Sequence, residues 1–344
     1  MPAAAKLINV LGALAKIETT YGTAVTLATT SDGLLLSYPD RNVGAPITIN
    51  YAFDGKVGVN PGNLSELPLS QPGGKSFTGD LPVRFKGAGV AYSASAKPAL
   101  ADVLLRISGL SSTLVTTSGS ESYTYAPQSP TAAYSSATMG LYARGELWPL
   151  KGVIANWSCS FDNPGPPTHT FSISGIANGD VTDVTLPSIT YPHLTIDPPN
   201  ANAVSLVVGS FTTNAVLYGG SFNLNRTIEP RVALTSSTGH EGFIPGGYAP
   251  ELTLTLEATA FVGSPYHTSA GLDPIKLREA ATKLTTVSVT FGATQYNKWT
   301  ISLANAQLFN VQPSANGRAA CWDLTFKPSA SSPIAVDDFT VVFN

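Results

Sequence analysis

Charge is scarce in this sequence. Lys, Arg, Asp and Glu make up only 12% of its 344 residues, about half the share of an ordinary globular protein. The net charge of -3 is spread evenly, with 11 basic against 12 acidic residues up to Thr190 and 8 against 10 after it. Neither half has the surplus of Lys and Arg with which a protein grips nucleic acid. Cysteine is rarer still. Cys159 and Cys321 are the only two, too few for a disulfide framework, which points to assembly in a reducing compartment. Both are expected as small core residues at matching strand positions of the two halves.

Long apolar runs are absent as well, since none approaches the ~20 residues of a membrane-spanning helix. The opening MPAAAKLINVLGALA has a short apolar run behind one lysine and an A-x-A-like end, but Asn9 interrupts it and no polar processing region follows. That argues against a secretory signal. The four histidines, His169, His193, His240 and His267, are scattered without ligand-like spacing, so no metal site is expected and each reads as a turn residue. No GxxxxGK[ST] occurs, Gly87-Ala-Gly89 lacks the third glycine of a dinucleotide loop, and no G-x-S-x-G elbow is present. Phosphate cradles and hydrolase nucleophiles are therefore not indicated. Asp337 and Asp338 are adjacent, and neighbours entering a strand point to opposite faces, so they do not read as an acid-base pair. No catalytic residue, metal or cofactor is expected, and the chain does not read as an enzyme.

What is abundant is turn and strand material. With 31 glycines, 26 prolines and 43% hydrophobic residues, plus much Thr, Ser and Val, the composition favours many short strands around a large core. The fold class is mainly β.

The stretch from Gly73 to Leu110 is written twice, with its echo at Gly246 to Leu284. In the first copy a glycine pair precedes the alternating Leu81, Val83 and Phe85, then a small-residue loop, then an amphipathic helix carrying Leu100, Val103, Leu104 and Ile107. In the second, Gly246 and Gly247 precede Leu252, Leu254 and Leu256, then a loop, then a helix over Asp273 to Leu284 with Ile275, Leu277 and Leu284. Period 2 followed by period 3.6 means a strand with one buried face and a helix that covers it. The lag is nearly constant: Gly74 to Gly247 is 173, Phe85 to Leu256 is 171 and Arg106 to Arg278 is 172. Each helix is followed by a strand pair with an Ala-Asn step, LYARGELWPLKGVIANWSCSF and VTFGATQYNKWTISLANAQLF, the first turning at Arg144 and Gly145. The halves close on strands at Thr170 to Gly175 and Trp322 to Lys327.

Residues 1–190 are thus expected to hold an N-terminal arm and a first domain, and 191–344 a second. The linker between them is Leu186 to Asn202, stiffened by Pro187, Pro192, Pro198 and Pro199. Residues 111–137 are expected to be a connector with at most one short strand, around Tyr123 to Tyr125. Two long polar segments, Phe53 to Gly73 and Arg226 to Gly246, hold matching places in the two halves, and loops of that length are uncommon unless they serve a purpose.

From Ala15 the sequence reads AKIETTYGTAVTLATTSDGLLLS. This opening, the helix Pro98 to Leu110 and the segment GLYARGELWPLKGVIANWSCSFDNPGPPTHTFSISG together resemble the tail tube proteins (major tail proteins) of long-tailed, non-contractile bacteriophages, and the echo resembles members with two tube domains in tandem. The resemblance covers most of residues 15–190 and rests on the order of the pieces. It implies two tandem β-sandwich tube domains, each with one flanking helix and a long stacking loop, in a virion protein assembled in the host cytoplasm. It implies the tail terminator, tape measure and distal tail proteins as partners, no membrane, and the transient passage of duplex DNA. In the family the long loop reaches a neighbouring subunit or ring, which singles out Asp54, Lys56, Asn60 and Glu66, with Arg231, His240 and Glu241 in the second half. A secreted β-sandwich adhesion or carbohydrate-binding protein is the alternative reading, and a β-rich hydrolase a third.

A tube that passes duplex DNA needs more than the 16 to 18 strands of a porin, on the order of 24. With about four strands per domain and two domains per chain, three chains close a pseudo-hexameric ring. A wall lined with cations would hold its cargo by phosphate contacts, so a neutral to acidic wall is expected. Its lumen or rim candidates are the polar alternates Asp80, Glu251, Thr255 and Glu257, with Arg84 and Lys86 on the same face.

Overall fold

A computed structural model describes residues 11–37, 47–51, 54–56, 70–72, 75–129, 131–162, 165–199, 204–212, 216–232, 240–259, 266–280, 284–332 and 335–344. The protein is mainly β. Up to residue 190 the strands are β1 (Leu11–Ile17), β2 (Gly33–Leu34), β3 (Ile47–Tyr51), β4 (Asp54–Lys56), β5 (Ser70–Pro72), β6 (Lys75–Val83), β7 (Leu110–Val115), β8 (Ser122–Pro127), β9 (Ala137–Ala143), β10 (Glu146–Asp162), β11 (Thr168–Ala177) and β12 (Thr182–Asp183), with helix α1 (Ala99–Ile107) between β6 and β7. After it come β13 (Ser205–Val208), β14 (Leu217–Asn223), β15 (Ile228–Val232), β16 (His240–Pro245), β17 (Glu251–Glu257), helix α2 (Pro274–Glu279), β18 (Thr285–Phe291), β19 (Trp299–Asn316), β20 (Ala319–Pro328) and β21 (Thr340–Phe343). From Val184 to Pro199 the backbone forms no strand, as its prolines require.

Two long strands organise everything else. β10 pairs with β9 through its first half and with β11 through its second, the register shifting between Lys151 and Ile154. β19 pairs with β18 and β21 through its first half and with β20 through its second, with a bulge between Leu308 and Asn310. A bulge bends a strand, and the bend lets one strand serve two layers. The hairpin into β10 turns on Arg144 and Gly145, both at positive φ (56° and 76°), the conformation that matches a two-residue turn to the twist of its strands.

One layer runs β3–β6–β11–β10 and continues β14–β17–β20–β19, all antiparallel. The same order of ladders thus occurs once in each half. The join is internal: Ser158 to Asp162 of β10 pair with Asn223 to Gly219 of β14. The other layer runs β2–β1–β9–β10 in the first half and β13–β18–β19–β21–β8–β7 in the second. Here β8 of the first half pairs with β21 of the second. The seventeen strands of this network roll round a common core, while β3 and β7 each pair along one edge only among the described residues.

The core forms because the strands alternate. Phe77, Leu81 and Val83 of β6, Trp157, Cys159 and Phe161 of β10, and Leu252, Leu254 and Leu256 of β17 all point inward and are buried. Rings tie the halves together: Phe85 meets Trp299 at 5.9 Å and Phe343 at 5.6 Å, Phe161 meets Phe291 at 5.0 Å, and Trp157 meets Phe222 at 4.9 Å. Each such ring stabilises the fold by about 2–3 kcal/mol through burial alone.

Four sequence expectations need correction. Helix α2 stops at Glu279 instead of reaching Leu284. Asp273 caps it, its side chain accepting the Lys276 N–H at 3.1 Å, but Ala280 is extended. Ile275 and Leu284 are exposed and only Leu277 of the three is buried, so these three positions do not share a buried face that would favour a longer helix. Residues 111–137 hold two strands, because β7 pairs with β8 to form a hairpin although Ser111, Ser112 and Thr113 are exposed. Cys159 lies on β10 but Cys321 lies on β20, the counterpart of β11, so the two do not match in position; both are free and buried. Finally, His169 is not a turn residue but a fully buried member of β11, and His240 lies on β16.

Candidate functional site

The eight-stranded layer has a second face, and its residues follow from the same alternation. Opposite the core lie Thr78 and Asp80 of β6, Thr170 and Ser172 of β11, and Ser158, Ser160 and Asp162 of β10. In the second half they are Ser221 and Asn223 of β14, Glu251, Thr253, Thr255 and Glu257 of β17, and Asp323, Thr325 and Lys327 of β20. Side chains directly across a ladder bond to one another. The Ser172 hydroxyl donates to Asp80 at 2.6 Å and the Thr255 hydroxyl to Asp323 at 2.7 Å. Lys327 Nζ lies 2.7 Å from Glu251, and at the register shift of β14 the Tyr218 hydroxyl donates to Glu257 at 2.9 Å. Hydroxyls and carboxylates dominate this surface, with Lys327 among them and Arg84 exposed just past the end of β6.

The structure therefore brings Asp80, Glu251, Thr255 and Glu257 onto one polar sheet face. It does not put Lys86 there. β6 ends at Val83, and Lys86 is buried, its ammonium donating to the carbonyls of His193 and Leu194 at 3.5 Å each. Burial lowers its pKa. Extrapolating period 2 past the end of the strand misplaced it.

The two long polar segments each carry a two-stranded hairpin, β4 with β5 and β15 with β16, outside the main network. Asp54 and Lys56 are the ends of β4, while Asn60 and Glu66 lie outside the described residues. In the second hairpin His240 pairs in register with Val232, and Arg231 forms an ion pair with Glu241 at 3.0 Å. This hairpin packs on β10 and β11. Its anchor, which sequence reasoning did not single out, is Tyr21. Glu18, buried, accepts from Ser136 Oγ (2.6 Å), Thr138 Oγ1 (2.9 Å) and the N–H groups of Gly22 (2.8 Å) and Gly152 (2.9 Å). That fixes the turn holding Tyr21, whose hydroxyl reaches Phe243. At Gly242 (φ +127°) a Cβ would lie 2.4 Å from the Tyr21 oxygen, so no larger residue fits there. A lone carboxylate in the apolar AKIE segment was the available signal.

Among the described residues no group of three or more His, Cys, Asp or Glu could hold a metal ion. The Ser210 hydroxyl lies 2.8 Å from His267 Nδ1. Asp338 accepts from the Tyr248 hydroxyl at 2.8 Å and Asp337 from the Ser331 N–H at 2.9 Å, and the Ser331 bonds hold the Asp337 carboxyl below its usual range. Beside α1 a cleft of about 330 Å³ is lined by Lys16, Asp32, Lys97, Asp102 and Arg106. Its charges are paired with each other, Lys97 with Asp102 at 2.7 Å and Lys16 with Asp32 at 3.9 Å. No described helix is long and apolar enough to cross a membrane.

Among the described residues the polar layer ends at two edges: at one end β3 pairs only with β6, and at the other the second half of β19, from Gln307 to Asn316, pairs only with β20. No protein-family model matches the sequence, and no curated protein matches it.

Proposed function

We propose that the protein is a structural subunit that polymerises as stacked rings into a phage tail tube, the conduit for DNA during ejection. The observation that carries this reading is the eight-stranded polar layer. Four strands come from each half, the halves are joined edge to edge at β10 and β14, and among the described residues the layer stops at two edges without a further strand. A sheet edge with its N–H and C=O groups unpaired is a template for another strand, and joining the two edges of successive copies removes both. Three chains then supply on the order of 24 strands, enough to exceed a porin's bore.

Each half on this reading is a two-layered tube domain, with the polar layer lining the bore. The paired hydroxyls and carboxylates of that face offer DNA phosphates little to hold. The hairpins β4–β5 and β15–β16 are the contacts between subunits or rings, with Asp54, Lys56, Arg231, His240 and Glu241 upon them. Tail terminator, tape measure and distal tail proteins would meet the tube at its ends. Electron microscopy of the purified protein tests the proposal. The expected result is uniform hollow tubes whose reconstruction has three chains per ring. Six chains per ring, or protein that stays monomeric at high concentration, would overturn it.

A further inference from the structure

A buried arginine lacks the partner that a buried charge requires. Arg226 follows β14 and is only 9% exposed. Its backbone is pinned on both sides. The Arg226 N–H donates to Asn156 Oδ1 at 2.9 Å, Asn225 Nδ2 donates to the Ala249 carbonyl at 3.0 Å, and the Thr227 N–H donates to the Gly247 carbonyl at 3.1 Å. From there the side chain reaches Gly109 (φ +86°), two residues past the end of α1, where a Cβ would overlap the guanidinium. A glycine at this position makes room for the charge.

What the guanidinium meets does not neutralise it. The Tyr134 ring centre lies 5.2 Å from Arg226 Cζ, a weaker partner than a carboxylate. Burial opposes the charged form, Tyr134 and Tyr248 favour it, and no Asp or Glu among the described residues acts on it. The Tyr248 hydroxyl is itself bonded to Asp338 at 2.8 Å. Arg226 Nε is buried with no acceptor among the described residues, and the end of a helix supplies only about half an elementary charge. A second unpaired group belongs to a residue bonded to the same glycine. Gln128 donates its N–H to the Gly109 carbonyl at 3.0 Å and its Nε2 to the Ala133 carbonyl at 2.6 Å, while its buried Oε1 has no donor among the described residues. Folded chains bury charges in pairs, because an unpaired one carries the full cost of leaving water.

We propose that Arg226 is the recognition group of an oxyanion site beside Gly109, whose occupant is a carboxylate of a second copy of the chain or a free phosphate. The N–H groups of a guanidinium form a planar fork that matches either oxyanion. Gln128 Oε1 can accept from a donor carried with it, the P–OH of monohydrogen phosphate or a peptide N–H next to the carboxylate. The site goes beyond the tube reading and does not depend on it. A bare cap on the end of α1 is the competing role for Arg226, and such a cap has no response to anions.

Urea unfolding of the full chain tests the site, at constant ionic strength with chloride exchanged for inorganic phosphate or acetate. An anion that binds only the folded state lowers the unfolding constant about tenfold at about ten times its Kd. The native protein should show that saturable drop and Arg226→Met should not, while Arg226→Lys, which keeps the charge without the fork, should show a smaller one. If a second copy is the source, sedimentation should instead show association that rises with protein concentration and that Arg226→Met abolishes. Equal effects of the anions on native protein and Arg226→Met are general salt exclusion, and without Arg226-dependent association they overturn the site. Where Arg226→Met does not fold, the arginine Nε–H resonances of the native protein decide. A saturable shift of one of them with added phosphate or acetate, or with protein concentration, supports the site, and no shift overturns it.

Discussion

Tyr21 and Phe243, 222 residues apart, are joined by hydrogen bonds in both directions: the tyrosine hydroxyl donates to the Phe243 carbonyl at 3.0 Å, and the Phe243 N–H donates back to the hydroxyl at 2.7 Å. The oxygen does for the root of the second hairpin what a neighbouring strand would do. It also ties the N-terminal segment to an element of the other half, and burial raises its pKa, keeping the phenol protonated.

Tyr21→Phe should therefore loosen the β15–β16 hairpin without unfolding the protein. The lost hydroxyl leaves a buried amide short of its acceptor, a cost of about 1–2 kcal/mol. Hydrogen exchange is the direct measurement: amides from His240 to Ile244 should exchange about tenfold faster or more, while those of β6 and β11 keep their protection. Uniform acceleration across the chain would mean that Tyr21 supports the fold as a whole instead.

How much of this could be read from the residues depends on whether the determinant is local. β6 and β17 were legible because Leu81, Val83, Leu252, Leu254 and Leu256 alternate against a core, and the Arg144–Gly145 turn because Gly145 suits the positive φ such a turn requires. β7 was not, since Ser111 to Thr113 face solvent and give no period. Lys86 was misplaced because nothing in the sequence marks where β6 stops. The choice of partner across the halves, β10 with β14 and β8 with β21, is set by non-local packing that no window of sequence contains. The same holds for Arg278, legible as one helix residue, whose Nε donates to the Phe309 carbonyl 31 positions away. Of the polar face, the alternation predicted which residues share it; it did not predict that Asp80 and Asp323 would each be bonded by a hydroxyl directly across the ladder.

His169 supplies a pH-dependent prediction. It is fully buried, stacked 3.6 Å from Phe85, and its Nδ1 accepts from Trp157 Nε1 at 3.3 Å, which places the ring proton on Nε2. Burial drives its pKa well below the ordinary value, so the folded protein keeps the ring neutral where the unfolded chain protonates it at about 6.5. Between the two values the unfolded state binds the extra proton. The contribution is therefore complete above about pH 6.5 and is lost as pH falls below it, by up to about 1.4 kcal/mol per pH unit. His169→Phe keeps the stack, but it removes both the acceptor of Trp157 and the buried Nε2–H, which has no hydrogen-bond partner among the described residues, so the two effects largely offset at pH 7.5. Urea titrations from pH 7.5 to 5.5 should show the native protein losing stability relative to the variant as pH falls. Parallel slopes would mean that another group dominates acid sensitivity.

The polar face makes the most direct prediction about DNA. Asp80 and Asp162 are exposed on it, in the first half of the eight-stranded layer, so they can be changed without opening the core. If that face lines a bore that must let duplex slide, the native protein should bind DNA weakly and with little dependence on salt. Replacing both residues, Asp80→Lys with Asp162→Lys, converts two repulsive positions into phosphate contacts. Binding of a duplex of fixed length, measured across a salt series, should then steepen by about 0.9 in the slope of log K against log salt for each phosphate newly neutralised. Assembled tubes of the variant should retain duplex that native tubes release. A steep salt dependence in the native protein, or an unchanged one in the variant, would show that this face is not the wall that DNA meets.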